Sequence, residues 1–548
     1  MTLLRRCVPG LALALLAACA TSRTRPASDL ETSYADLRDV RDAIDVAEAR
    51  GLDHADDGRA LADLRGDYAK RRSAFAVALD SSSRTGGADA TALAAMGQAL
   101  DSALAAEAQA ESGNTTGTAD CAFDSATLAR LDLPSLQARV YACYGRAAQN
   151  VRFGEETLDR LTVFARLAQT DDRETRRRLF LALDPVWRSV NGDDGASSPF
   201  RRLAALSAAH WASEGSPIER NARALGVEPT QVEPWLVAIL EAWRAATPKD
   251  AIEPWDWHYQ AGALSRELRA QVPAERLRPL HDAFYRALGA DPATLPIRYD
   301  LEPRAGKTPV AFTTFGKRPR LGPSGTVVPG EAWIFATYRA GGMDNLGELL
   351  HETGHAVHIL AIRTRPAFAD WPDSDTFTEA LGDLVALEAY EPAWQQQFLG
   401  ASAPLADSLR AKYASIVLDV AWALFEVRMH REPSADPNQV WSAITHDYLH
   451  VVPHPELSWW AMRGQLVDSP GYMMNYALGA IVVADLRARC RELRGAFSNP
   501  DPGMYAWLSE RLYRFGLERS SRAVVEEFLG RPVRPAALLD DLGRMSGR

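Results

Sequence analysis

The sequence predicts a mostly α-helical protein with one small β-sheet, and two observations carry that prediction. Apolar residues recur at helical spacing through most of the 548 residues. One stretch, 308–338, breaks the pattern with β-prone runs set between Gly- and Pro-rich turns. Composition agrees: 47% apolar and 24% charged residues, with 14 Trp, suit a large folded body with a sizeable core. They do not suit a disordered chain or a membrane-spanning bundle.

The first element is an address. Arg5 and Arg6 precede an apolar run, Val8–Ala18, too short for a stable spanning helix, so residues 1–18 read as a secretory signal. Its end, Leu16-Ala17-Ala18-Cys19, resembles the bacterial lipobox, in which the Cys is lipidated and becomes the new first residue. That resemblance implies a lipoprotein anchored through Cys19 on the periplasmic side of the bacterial cell envelope. Ala20 follows, not Asp, which in the bacterial pattern favours the outer over the inner membrane. Residues 19–30 are small and polar, as a tether requires. Cys121 and Cys143 could pair in such an oxidising compartment.

The folded body is expected over 31–548, with a helical part at 31–245 and a site-bearing part at 246–548. Leu61, Leu64, Tyr68 and Phe75–Leu79 mark amphipathic helices, and 111–120 reads as an exposed loop. Helical patterning resumes over Leu158–Leu167, Arg173–Leu183, Val232–Ala246 and Ala274–Leu288. The two strands are expected at Val310–Phe315 and Trp333–Tyr338. Further helices follow at Asn345–Ala361, Thr376–Tyr390, Leu405–Arg431 and Met473–Leu493. Basic residues number 61 against 71 acidic, a net charge of −10, which argues against a nucleic-acid partner.

The helix after the sheet carries His351-Glu352-Thr353-Gly354-His355, an HExxH pattern. Residues four apart share a helix face, so two imidazoles can converge on one Zn²⁺ while Glu352 reaches a water beside it as general base. Roughly 0.01 such matches are expected by chance in a chain of this composition. A catalytic zinc takes a third protein ligand, and Glu379 in Phe377-Thr378-Glu379-Ala380-Leu381-Gly382-Asp383 is the best candidate. Glu379 three residues after Thr376 also fits a capping box, but the upstream HETGH favours the ligand. Asp383, one turn on, is placed to accept the second N–H of a liganding His.

With these residues named, the sequence resembles a known group. HETGH followed by Phe377–Leu387 is similar to the angiotensin-converting enzyme family. His358, Pro254-Trp255-Asp256-Trp257 and Pro470–Gly479 are similar to thimet oligopeptidase and oligopeptidase F. Both are helical zinc metallopeptidases of gluzincin type. The resemblance covers roughly residues 250–490 and implies two lobes around a deep central channel, the small sheet lying next to the HExxH helix. It also implies one bound zinc and short peptides as substrates, since a deep channel excludes folded proteins.

Carried over residue by residue, it gives His351, His355 and Glu379 as ligands, Glu352 as base and Asp383 as their support. Tyr476, with Tyr472 one turn away, corresponds to the Tyr that donates to the tetrahedral oxyanion, although two such Tyr also fit a packed aromatic stripe. The strand with Phe312 and Thr313 corresponds to an edge that binds the substrate backbone, or else is an ordinary covered edge. One departure stands out: Arg463–Gly471 lacks the His that these families place upstream of the Tyr. Gln465 or Arg463 could supply a donor there, or Arg463 could hold a substrate carboxylate. His358 reads as a packed residue. The leading expectation is a zinc peptidase; a zinc-containing binding lipoprotein, or a hydrolase of a non-peptide amide, is the alternative.

Overall fold

The computed structural model describes residues 29–84, 92–102 and 121–546, except 196, 303, 305–306, 308–310, 322–325 and 339. The signal, Cys19, most of the tether and the 111–120 loop lie outside the described residues. Helix α1 (Asp29–Arg50) already begins within the segment assigned to the tether. The protein is mostly helical, as expected. Among the described residues no helix is long and apolar enough to cross a membrane.

Helices α1 and α2 (Leu61–Arg84) pack together around Tyr34, Leu37, Leu64 and Phe75. From Leu128 to Met545 one continuous buried cluster runs through the molecule, and it crosses residue 245 without a break. Cys121 and Cys143 form a disulfide. Helix α3 (Leu277–Ala287) leads into a three-stranded sheet that frames the site.

Its strands are β1 (Ile297–Asp300), β2 (Phe312–Lys317) and β3 (Glu331–Phe335), in the order β1-β3-β2. β3 is central, parallel to β1 and antiparallel to β2, so β2 is an edge strand. The two expected strands therefore form, shifted to 312–317 and 331–335. β1 was not legible, because four residues, Ile-Arg-Tyr-Asp, carry too little alternation to stand out. Two short antiparallel pairs, Val151–Phe153 with Glu156–Leu158 and Arg320–Leu321 with Val327–Val328, are also additional. Side chains alternate across the sheet. Trp333 and Phe335 meet Val46 and Ala49 of α1, while Ala332 and Ile334 join the main core.

Four helices then build the walls: α4 (Met343–Ala361), α5 (Asp375–Ala386), α6 (Leu405–Arg431) and α7 (Met473–Arg494). All four were expected within a few residues. The tail of the expected Thr376–Tyr390 helix tightens into a 3₁₀ turn over Leu387–Tyr390. Buried Arg318 spans Asp42 of α1 (2.9 Å) and Asp370 (2.8 Å), tying the N-terminal helices to the segment that carries Trp371.

Candidate metal centre and its cavity

Helix α4 brings Glu352 and His355 to one buried face and leaves His351 half-buried. It is held from behind by α3: the Tyr285 hydroxyl donates to the Leu350 carbonyl (2.6 Å), and His281 Nε2 meets Thr353 Oγ1 at 2.7 Å. On the other side α4 crosses α5 at two glycines. A Cβ on Gly354 would stand 2.3 Å from the Gly382 carbonyl oxygen, and one on Gly382 would stand 2.8 Å from the His355 ring. The helices therefore touch backbone to backbone, and that closeness brings Glu379 to the histidines.

The geometry suits a tetrahedral metal. His351 Nε2 and His355 Nε2 are 3.0 Å apart. Glu379 Oε2 lies 3.6 Å from the first and 4.0 Å from the second. Ligands about 2.0–2.1 Å from a tetrahedral zinc would be separated by roughly 3.3 Å, so the three atoms bracket the required spacing. Two imidazole nitrogens facing each other beside a carboxylate are a donor set that calls for a cation. Burial opposes a charge on His351, but Asp383, Glu352 and Glu379 outweigh it and lift the imidazole from 6.5 to about 10. His351 Nδ1 meets Asp383 Oδ1 at 2.7 Å, which leaves Nε2 facing its partners. The Thr376–Glu379 capping box does not form: Ser374 caps α5, and Thr376 donates to Asn475 Oδ1 (2.9 Å).

Above the triad opens a cavity of about 480 Å³. Its wall includes Glu352, Tyr472, Tyr476 and Gln465, together with Phe312. The Tyr472 and Tyr476 rings stand edge to face at 5.6 Å, Tyr472 just before α7 and Tyr476 in its first turn. Burial, with the charge of Glu379, raises the Tyr476 phenol, so it is a neutral donor at any ordinary pH. The start of α7 is fixed by buried Glu426, whose carboxyl accepts the Gly471 (2.6 Å) and Met473 (3.0 Å) amides.

Two expected contacts fall elsewhere. Arg463 does not line the cavity; it pairs with Asp419 and lies over the Trp422 ring, so its charge is already spent inside the protein. Thr313 is fully buried, because strand alternation turns its side chain from the cavity towards α4, where Oγ1 meets Glu352 Oε2 at 2.6 Å. His358 packs between Trp371 and Tyr513, and burial drives its imidazole down to about 3. Neither His450 nor His454 reaches the cavity: the first bonds the Arg244 carbonyl and the second bonds Glu253.

The sequence reading missed Glu348. It opens onto the cavity one turn before Glu352, and burial together with that second carboxylate pushes it up to about 7. Its i, i+4 spacing from Glu352 was the available signal.

No family model and no curated protein matches the sequence. Solved structures do match the fold. The M32 carboxypeptidase from Deinococcus radiodurans R1 is similar with a TM-score of 0.55 at 15% identity, over 95% of this chain and 99% of that one. An oligoendopeptidase F is similar at 0.51 and 14%, over 96% and 97%. PZ peptidase A, solved with an inhibitor, is similar at 0.51 and 14%, over 95% and 97%. The chain thus has the fold of the helical zinc metallopeptidases from end to end of the described body.

Proposed function

We propose that the protein is a zinc-dependent peptidase that hydrolyses short peptides. One observation carries this reading: the donor atoms of His351, His355 and Glu379 lie within 4.8 Å of one another, on a cavity wall that also presents Glu352. When bound there, the metal supplies Lewis acidity to the scissile carbonyl and to the attacking water. Glu352 takes the proton of that water and delivers it to the departing amine. Tyr476 donates its phenolic hydrogen to the carbonyl oxygen as negative charge develops on it. Gln465, on the same wall, offers an amide donor where the resembling families have an imidazole. Asp383 keeps the His351 ring turned correctly throughout.

Cleavage inside a peptide is favoured over removal of a C-terminal residue. Among the described residues of the cavity wall, Lys412 is the one Lys or Arg, and its Nζ is held by Asp541 at 3.0 Å. No free cation there offers itself to a terminal carboxylate. The test is a mixed peptide library read by mass spectrometry with the zinc-loaded protein and Glu352→Gln. Fragments made by the native protein alone support the peptidase, and their ends report the mode of cutting. Zinc binding without cleavage would favour the binding-protein reading, for which the missing His is the supporting observation. A periplasmic lipoprotein remains our reading of residues 1–19; the Cys121–Cys143 disulfide, which suits an oxidising compartment, supports it.

A further inference from the structure

We propose that Thr313 is a positioning residue that aims the Glu352 carboxylate at the reacting water; this rests on Glu352 being the general base. Thr313 is 0% exposed and sits on edge strand β2, paired in register with Ile334 of β3. Its Oγ1 makes two contacts with a single residue of α4: 2.6 Å to Glu352 Oε2 and 2.8 Å to the Glu352 carbonyl oxygen. One hydroxyl therefore lies within hydrogen-bond distance of both the carboxylate and the backbone carbonyl of Glu352, its single proton serving one of them at a time.

A glutamate has three rotatable bonds, and burial alone does not choose among its rotamers. The contact at Oε2 makes that choice and leaves Oε1 for the water. It also suits both protonation states. Thr313 donates to Oε2 while the carboxylate is ionised, and goes on donating to it once Oε1 has taken the proton of the water, because Oε2 is then the carbonyl oxygen of the acid. The base is thus held before and after it acts, which is where misplacement is costly: an error of about 1 Å can lower a rate 10²-fold. The placement links two parts of the site. Phe312, the preceding residue of β2, lines the cavity while Thr313 holds the base behind it. Substrate seated along the β2 edge would therefore lie on the same strand that sets the aim of Glu352.

The test compares Thr313→Val, isosteric but without a hydroxyl, with Thr313→Ser, which keeps it, in the full zinc-loaded protein. The measurements are kcat, KM, bound zinc and melting temperature. Thr313→Val should lower kcat by about 10–10², leave KM within about twofold and retain one zinc per chain, while Thr313→Ser recovers most of kcat. Native kcat in Thr313→Val overturns the proposal. So does an equal loss in both variants, or a loss that follows zinc release or a fallen melting temperature, since each marks a packing role. Full turnover in Glu352→Gln would instead overturn the general-base reading on which this rests.

Discussion

His351 and Asp383 stand on different helices, and the imidazole Nδ1 lies 2.7 Å from the carboxylate Oδ1. A carboxylate only accepts, so when the ring is neutral, as a metal ligand must be, its proton sits on Nδ1 and the Nε2 lone pair is left to face His355 and Glu379. Asp383→Asn offers an amide that can turn its NH₂ to the ring and so loosen that choice. Zinc affinity should fall about 10–100-fold, as read by competition with a chromophoric chelator. Unchanged affinity would mean that Asp383 does not set the ring.

The crossing of α4 and α5 has no room for a side chain. At Gly354 a Cβ would lie 2.3 Å from the Gly382 carbonyl oxygen, which is backbone and cannot swing away. Gly354→Ala should therefore part the helices, draw Glu379 from the histidines and cost about 1–3 kcal/mol. Zinc stoichiometry and thermal melting check this together; full zinc occupancy with a native melting temperature would contradict the close crossing.

Tyr476→Phe removes only the phenolic oxygen. If that group donates to the developing oxyanion, kcat falls about 10²–10³-fold with KM nearly unchanged. Gln465→Ala, measured beside it, should also lower kcat, because Gln465 occupies the same wall. A rise in KM alone for either variant would assign that residue to binding the ground state.

Glu426 gives a pH signature. Its carboxyl accepts two backbone amides, but burial is the larger effect and raises it from 4.5 to about 8. An unfolded chain releases that proton near 4.5, so between there and about 8 the folded state holds one proton more. Stability from this group is complete below 4.5 and is lost as pH rises through about 8. Glu426→Gln should flatten that slope, its melting temperature gaining on the native protein between pH 5 and about 8.5. A difference independent of pH would show that the carboxyl does not titrate in this range.

Much of this was legible in the sequence because the signals are local. Helix α4 announces itself through its apolar face, and the 351–355 spacing fixes which side chains share a side. Glu379 and Asp383 could be read once the HETGH spacing called for a third ligand, since their own segment fits a capping box as well. What could not be read depends on the meeting of distant segments. Thr313 and Glu352 are 39 residues apart, and only strand register turns the hydroxyl inward. Arg463 looked available because nothing in its neighbourhood reveals Asp419, 44 residues earlier. Gly354 and Gly382 looked like ordinary helix residues until the crossing showed why neither carries a side chain.

The central claim is that Glu352 performs the proton transfer at a metal held by His351, His355 and Glu379. The most direct measurement is peptide turnover and bound zinc in Glu352→Gln beside the native protein. The account predicts one zinc per chain in both and turnover only in the native protein. Comparable turnover in Glu352→Gln, with zinc retained, would contradict it.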